Sequence, residues 1–129
     1  MPHLQIQYSP GLETLVDLQD LCDQLNDVMV GTGVFPLAGV RVRAFRADVV
    51  SIADKHPSNA FCAMQVYMGA GRTLDQKQAA GQAINDCAVA FFRSLLSRPH
   101  FMLSLDIFEN DPALSWKTNP IHARLAQRD

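Results

Sequence analysis

The sequence predicts an α+β fold in which duplicated β-α-β units form one four-stranded mixed sheet with two helices on one face. Two observations lead to this prediction. Four segments alternate apolar and polar residues with the period-two pattern of half-buried strands. A stretch whose apolar residues repeat at helical spacing lies between the first and second segments, and another lies between the third and fourth. A helix that crosses between two strands favours a parallel pair, so the order strand, helix, strand, used twice, predicts the sheet.

The first predicted unit covers residues 2–47. Its first strand runs from about His3 to Tyr8, with Leu4 and Ile6 on one face. Asp17 is expected to cap the following helix, because its carboxylate can accept from the free backbone N–H groups of the first turn. The apolar stripe of this helix consists of Leu18, Leu21, Cys22, Leu25, Val28 and Met29.

The second strand of this unit runs from about Val40 to Ala47. Its alternation places Arg41 and Arg43 on one face and Arg46 on the other. Two interpretations remain open. The arginines fit a solvated surface along which long side chains lie. They also fit a clamp for carboxylates, since a guanidinium binds a carboxylate through two parallel hydrogen bonds.

The second predicted unit covers residues 60–109. It begins with a strand from about Ala60 to Met68 and ends with a strand from about Phe101 to Glu109. The helix between them is expected to begin at Thr73 and Gln76, which have the spacing of a capping box. Its apolar stripe consists of Ile84, Cys87, Ala88, Phe91, Phe92, Leu95 and Leu96.

Two stretches lie outside these units. Residues 48–59 are expected to form a short helical or extended connector. Residues 110–129 form a C-terminal segment with a short helix from about Asn119 to Gln127. The whole chain, residues 1–129, has the length of a single domain.

The third strand predicts an assembly. Its alternation turns Cys62 and Met64 to one face and Gln65 and Tyr67 to the other. If both helices cover one face of the sheet, the second face has no cover within the chain. Because large apolar patches rarely stay exposed, we expect an oligomer that covers this face.

Composition narrows the class of protein. Apolar residues make up 48% of the chain and charged residues 19%, and the net charge is −2, so no strong field attracts nucleic acid or an anionic membrane. No segment has the pattern of a membrane span or a signal peptide. Cys22, Cys62 and Cys87 each lie in an apolar run, which predicts buried thiols in a reducing cytoplasm.

The sequence offers little for a metal or a cofactor. His3, His56, His100 and His122 form no close pair along the chain, and no zinc motif occurs. The segment Gly69–Arg72 lacks the Lys-Ser/Thr of a P-loop and the third glycine of a dinucleotide site, so it is interpreted as a turn that places Arg72 before a helix. No serine or cysteine lies in the pattern of an activated nucleophile.

The nitrogen of Pro2, at the start of the chain, is a candidate catalytic base. An initiator Met before a small residue such as Pro2 is normally removed, which leaves a secondary amine at the beginning of a strand. Partial burial disfavours the charged form of such an amine. It can then act as a base near neutral pH. The alternative is that Pro2 is only an accident of the start site.

Trp116 is the one tryptophan, and it lies in a polar, turn-rich stretch. It fits two roles. It can pack the C-terminal segment onto the body of the protein. It can also line a ligand pocket, because aromatic side chains on loops are common there.

Three segments together resemble the 5-carboxymethyl-2-hydroxymuconate Δ-isomerase family of the tautomerase superfamily. They are Met1-Pro2-His3, Thr32 to Arg41 with the sequence TGVFPLAGVR, and Gly69 to Leu74 with the sequence GAGRTL. The third segment is also similar to the short 4-oxalocrotonate tautomerase subunit. Macrophage migration inhibitory factor belongs to the same superfamily.

The resemblance implies a cofactor-free isomerase that moves a proton in 5-carboxymethyl-2-hydroxymuconate during homoprotocatechuate degradation. It implies a homotrimer, Pro2 as catalytic acid and base, and Arg41 and Arg72 as substrate-binding residues. Trp116 falls where the family places a pocket aromatic. Strand alternation, and not the family motif, suggests that Arg43 binds the carboxymethyl group. The alternatives are a tautomerase of a smaller 2-oxo acid such as phenylpyruvate, and a non-catalytic trimeric binding protein.

Overall fold

The computed structural model describes residues 2–127, so the predicted removal of Met1 and the last two residues of the C-terminal segment lie outside it. Four strands form one sheet in the order β2-β1-β3-β4. They are β1 (His3–Tyr8), β2 (Arg41–Arg46), β3 (Ala60–Gly69) and β4 (Phe101–Asn110). β1 is parallel to β2, β3 is parallel to β4, and the central pair β1 and β3 is antiparallel. The predicted mixed sheet of two β-α-β units is therefore confirmed.

Helices cross between the members of each parallel pair, and short turns flank them. The α-helices are α1 (Leu18–Gly31), α2 (Leu74–Phe91), α3 (Arg93–Leu96) and α4 (Pro120–Ala126). Single 3-10 turns occur at Leu12–Thr14, Leu37–Gly39 and Pro112–Leu114. No helix within residues 2–127 is both long enough and apolar enough to cross a bilayer.

Both predicted helix starts are confirmed. The Asp17 carboxylate accepts from the Asp20 backbone N–H at 3.1 Å. The Thr73 hydroxyl accepts from the Gln76 N–H at 3.1 Å, and the Gln76 side chain accepts from the Thr73 N–H at 2.9 Å. These bonds satisfy donors that a helix leaves unpaired at its first turn.

The second helix does not continue to Leu96 as the apolar stripe predicts. It ends at Phe91, and Phe92 leaves the helical region at φ −94° and ψ 15°. Phe92 is buried, with its ring 4.9 Å from that of Phe101 on β4. Beyond this break, Leu96 is 37% exposed instead of lying in the core.

The core lies between the sheet and the helices. The β1 residues Leu4 and Ile6, the α1 residue Leu25 and the α2 residue Ile84 are completely buried. On β3 the even-numbered positions from Cys62 to Met68 are completely buried as well. Burial of each large side chain contributes about 1.5–3 kcal/mol, so this face holds the helices against the sheet.

The second face of the sheet is uncovered within the chain and is called the open face below. The strand register and the alternation of side chains assign to it His3, Gln5, Arg41, Arg43, Phe45, Ala63, Gln65, Tyr67, Met102, Ser104, Asp106 and Phe108. Stacked rings cross three strands, from His3 to Tyr67 at 5.1 Å and from Tyr67 to Phe108 at 5.2 Å. Phe45, Met102 and Phe108 are 45–51% exposed, as the alternation of the strands predicts.

The connector at residues 48–59 is neither the short helix nor the extended segment that the sequence suggests. It is a loop in which Ala53 and Lys55 have positive φ angles. The Asp54 carboxylate accepts from the His56 N–H at 3.2 Å and from the Asn59 amide at 2.8 Å. Such bonds from a short acidic side chain favour turns over regular structure.

The prediction of buried thiols is correct for Cys62 and wrong for Cys22 and Cys87, which are partly exposed. Cys87 Sγ lies 4.0 Å from Gln24 Oε1, so it is at the junction of α1 and α2 and not beneath a helix. Burial raises the pKa of Cys62 to about 12 and also raises the pKa of the other two thiols. A raised pKa disfavours the reactive thiolate.

Candidate active site

Pro2 lies at one end of the sheet, immediately before β1. His3 pairs with Arg41 of β2 and with Tyr67 of β3, so Pro2 is next to the start of β2 and the end of β3. We call this region the proline end; it also contains Gly69, the last residue of β3. The Pro2 ring is completely buried. A central strand with partners on both sides fixes its first residue far better than a free terminus does.

Arg41 begins β2 on the open face at the proline end. Its side chain is exposed, and within residues 2–127 it forms no hydrogen bond or ion pair. An unpaired guanidinium is free to bind an anion through two parallel hydrogen bonds. Of the predicted arginines, Arg41 is the one whose donors are all available.

Arg43 lies two residues farther along β2, opposite Gln5. Its Nη1 is 3.0 Å from His3 Nδ1, and its Nη2 donates to Gln5 Oε1 at 3.3 Å. A guanidinium has only donors, so His3 Nδ1 accepts and the ring proton is on Nε2. Burial, followed by the charges of Arg43 and Arg41, lowers the pKa of His3, and these effects favour its neutral form.

Arg72 is bonded mainly to the backbone. Its Nε and Nη2 donate to the Val34 carbonyl at 3.2 and 3.0 Å, and its Nη1 donates to the Gly69 carbonyl at 3.1 Å. Its guanidinium also lies over the Phe35 ring at 5.1 Å. Arg72 therefore ties the loop after α1 to the end of β3. Two of the five N–H groups of a guanidinium remain for another acceptor.

The C-terminal segment crosses the proline end. It leaves β4 at one edge of the sheet, and the Asn119 amide donates to the Ala38 carbonyl at 2.9 Å, just before β2 at the other edge. In between, Lys117 Nζ lies 4.0 Å from the position that a Cβ on Gly69 would occupy. Lys117 is not among the site residues that the sequence predicts, although the Asn-Pro at residues 119–120 signals the anchored helix start that follows it.

Trp116 is 85% exposed. The suggestion that it packs the C-terminal segment onto the body of its own chain is therefore wrong. The segment is anchored by Asn119 and by α4, which contacts the turn at Leu37–Gly39. The suggestion that Trp116 lines a ligand pocket stays a prediction.

Positive side chains at the proline end have no acidic partners within the described part of the chain. The ion pairs of residues 2–127 join Arg46 to Glu13 and Asp48, and Lys77 to Glu109. Arg41, Arg72 and Lys117 take part in none of them. A protein with a net charge of −2 therefore presents several unpaired cations at this one end, which suits an anionic ligand.

One cavity lies away from the proline end. It is a groove of about 970 Å³ between α2 and the edge strand β4, and none of the predicted site residues lines it. A smaller hollow of about 440 Å³ next to the turn before β2 is lined by Arg41 together with Thr118 and Asn119 of the C-terminal segment. The proline end is therefore identified as the candidate site by its charged groups and not by the size of a cavity.

Two histidines that are far apart along the chain meet in the fold. His56 and His100 stack with ring centroids 4.2 Å apart. The loop at residues 48–59 folds back and brings them together. Among the described residues, no three His, Cys, Asp or Glu side chains are placed to hold a metal ion.

The chain has clear relatives. The family model of 5-carboxymethyl-2-hydroxymuconate isomerase matches residues 2–125. The 5-carboxymethyl-2-hydroxymuconate Delta-isomerase of Escherichia coli is 34% identical over 123 residues, which cover 95% of this chain and 98% of the relative.

Solved structures agree with this relationship. A 5-carboxymethyl-2-hydroxymuconate isomerase from Deinococcus radiodurans R1 has a TM-score of 0.89 at 34% identity, over 96% of this chain and 93% of that one. A fused 4-OT solved as a symmetric trimer has a TM-score of 0.66 at 18% identity, over 90% of this chain and 93% of that one. This second likeness shows a shared fold and confirms the predicted fold class.

Proposed function

The chain belongs to the 5-carboxymethyl-2-hydroxymuconate isomerase family and is an isomerase, and we propose that it isomerises 5-carboxymethyl-2-hydroxymuconate during homoprotocatechuate degradation. The observation that carries this proposal is the burial of Pro2 at an end of the sheet where cations gather. After removal of Met1, the Pro2 nitrogen is a secondary amine. Burial and positive neighbours disfavour its ammonium form, so we expect its pKa to lie below that of an exposed terminus.

The proposed reaction is a proton transfer by one group. Pro2 takes the proton of the substrate 2-hydroxyl, and the electron pair moves through the conjugated double bonds. Pro2 then returns the proton to a distal carbon, which gives the 2-oxo acid. A single weak base that becomes an acid in the second step is sufficient for this chemistry. We propose that no metal or cofactor takes part.

The cations of the proline end have separate proposed roles. Arg41 has all its donors free, and it binds a substrate carboxylate. Arg72 uses its two remaining N–H groups to stabilise negative charge on the dienolate oxygen, which is usually a large contribution to such catalysis. Arg43 adds positive charge on the open face through the same strand. Trp116 lines the substrate pocket when another copy of the chain is present.

We also propose a cytoplasmic homotrimer. Phe45, Met102 and Phe108 are half exposed on the open face. Other copies of the chain would cover these groups, as in the trimer of the structurally similar fused 4-OT. Sedimentation is expected to give three times the chain mass of 14.3 kDa. A fully active monomer would contradict the trimer.

A comparison of substrates tests the proposed reaction. We expect kcat/KM for 5-carboxymethyl-2-hydroxymuconate to exceed that for phenylpyruvate by roughly 10- to 100-fold or more, since each charge-assisted hydrogen bond to an extra carboxylate is worth about 1.5–3 kcal/mol. Loss of the dienol absorbance measures the first reaction, and enol formation measures the second. Faster turnover of phenylpyruvate would favour the smaller substrate. Turnover of neither acid would favour a binding protein.

A further inference from the structure

Lys117 is a cation at the proline end that the family resemblance does not assign. Gly69 ends β3, two residues beyond Tyr67, which pairs with His3 at the start of β1. The antiparallel register therefore places Gly69 at the end of the sheet where Pro2 lies. Lys117 Nζ lies 4.0 Å from the position of a Gly69 Cβ. By strand alternation that Cβ would point to the open face, the side on which Arg41 lies.

The C-terminal segment holds Lys117 in this position. Ser115 has an extended backbone, with φ −133° and ψ 122°. The side chains of Trp116 and Lys117 are both exposed, so Lys117 is accessible to a ligand. The Asn119 bond to Ala38 fixes the end of the segment.

The carboxylate of Glu109, near the end of β4, already forms an ion pair with another lysine. Glu109 of β4 pairs with Lys77 of α2. In the part of the chain that the structure describes, Lys117 has no ion-pair partner. Arg43, the residue first assigned to the carboxymethyl group, is held by His3 and Gln5 and lies two residues farther along β2 than Arg41. An ammonium without an acidic partner thus lies at the proline end, whereas the guanidinium of Arg43 lies farther along the sheet.

We propose that Lys117 binds the carboxymethyl carboxylate of the substrate and so selects tricarboxylates over dicarboxylates. This inference rests on the proposed function. The two arginines suit carboxylate and oxyanion groups held in fixed positions on the conjugated chain, because a guanidinium is a rigid fork. The carboxymethyl arm rotates about a single bond. An ammonium on a flexible stem with three donors can follow such a group.

The experiment compares Lys117→Met with the wild-type protein on two acids, 5-carboxymethyl-2-hydroxymuconate and the same dienol diacid without its carboxymethyl arm. We expect KM for the tricarboxylate to rise by about 10- to 100-fold, because one charge-assisted bond is lost. A contact made equally in the ground state and the transition state leaves kcat unchanged. We expect the kinetics of the diacid to be unchanged, and Lys117→Arg to restore most of the lost affinity.

Lys55→Met is the matched control, because Lys55 lies in the loop at the opposite end of the sheet. Circular dichroism melting shows whether each variant is folded. Equal losses on both acids, or no loss on either, would overturn the role of Lys117. If wild-type protein turns over neither acid, the proposed function fails. In that case calorimetric binding of both acids to wild-type and Lys117→Met protein decides the role of Lys117 separately.

Discussion

A chain with one extra residue ahead of Pro2 is expected to lose about 10²- to 10⁴-fold in kcat, the usual contribution of a positioned acid–base group. The extra residue converts the Pro2 nitrogen into a tertiary amide, which has no basic lone pair. The nitrogen cannot then take the hydroxyl proton, although the arginines remain. The measurement is the rate of dienol loss for the extended chain and for the same chain after proteolytic removal of the extra residue.

Two further measurements distinguish loss of the basic nitrogen from steric blocking of the site by the extra residue. Pro2→Ala keeps a free amine of different basicity, so we expect the low-pH limb of its kcat/KM profile to move. Titration of ¹⁵N-labelled Pro2 is expected to give a pKa below that of an exposed terminal proline. Native rates in the extended chain, or protonation of Pro2 only in the alkaline range, would remove Pro2 from the mechanism.

Replacement of Arg72 by Met is expected to damage both stability and turnover. The Val34 and Gly69 carbonyls lose the three hydrogen bonds that Arg72 donates to them. Both residues are partly buried. An unsatisfied group of this kind costs about 1–3 kcal/mol, which urea denaturation measures. Loss of the charge near the developing oxyanion is expected to lower kcat by about 10²- to 10³-fold.

Variants at two positions distinguish these effects. Arg72→Lys keeps the charge but cannot reproduce a fork that bonds two carbonyls, so we expect it to recover little stability. Arg98→Met removes an exposed guanidinium that forms no hydrogen bond or ion pair within residues 2–127, and we expect this variant to behave as wild type. An Arg72→Met protein with wild-type stability would contradict the structural role. Wild-type turnover would contradict the catalytic role.

Much of the fold follows from local pattern. The alternation in β3, the helical stripes and the caps at Asp17 and Thr73 are properties of neighbouring residues, and the structure confirms them. The faces of Arg41 and Arg43 follow from the same alternation. Local pattern also failed where a contact overrode it, as at Phe92, where the buried ring packs on Phe101 and the helix breaks.

The sequence by itself determined the order of strands and helices, the covered and uncovered faces of the sheet, and a proline followed by a strand at the start of the chain. Only the tertiary structure decided which groups surround that proline. Arg72 and Val34 are separated by 38 residues along the chain, and Arg43 and His3 by 40. The C-terminal segment reaches Ala38 only because β4 and β2 are at opposite edges of one sheet. Period and propensity act over a few neighbouring residues, whereas such contacts depend on how distant segments pack.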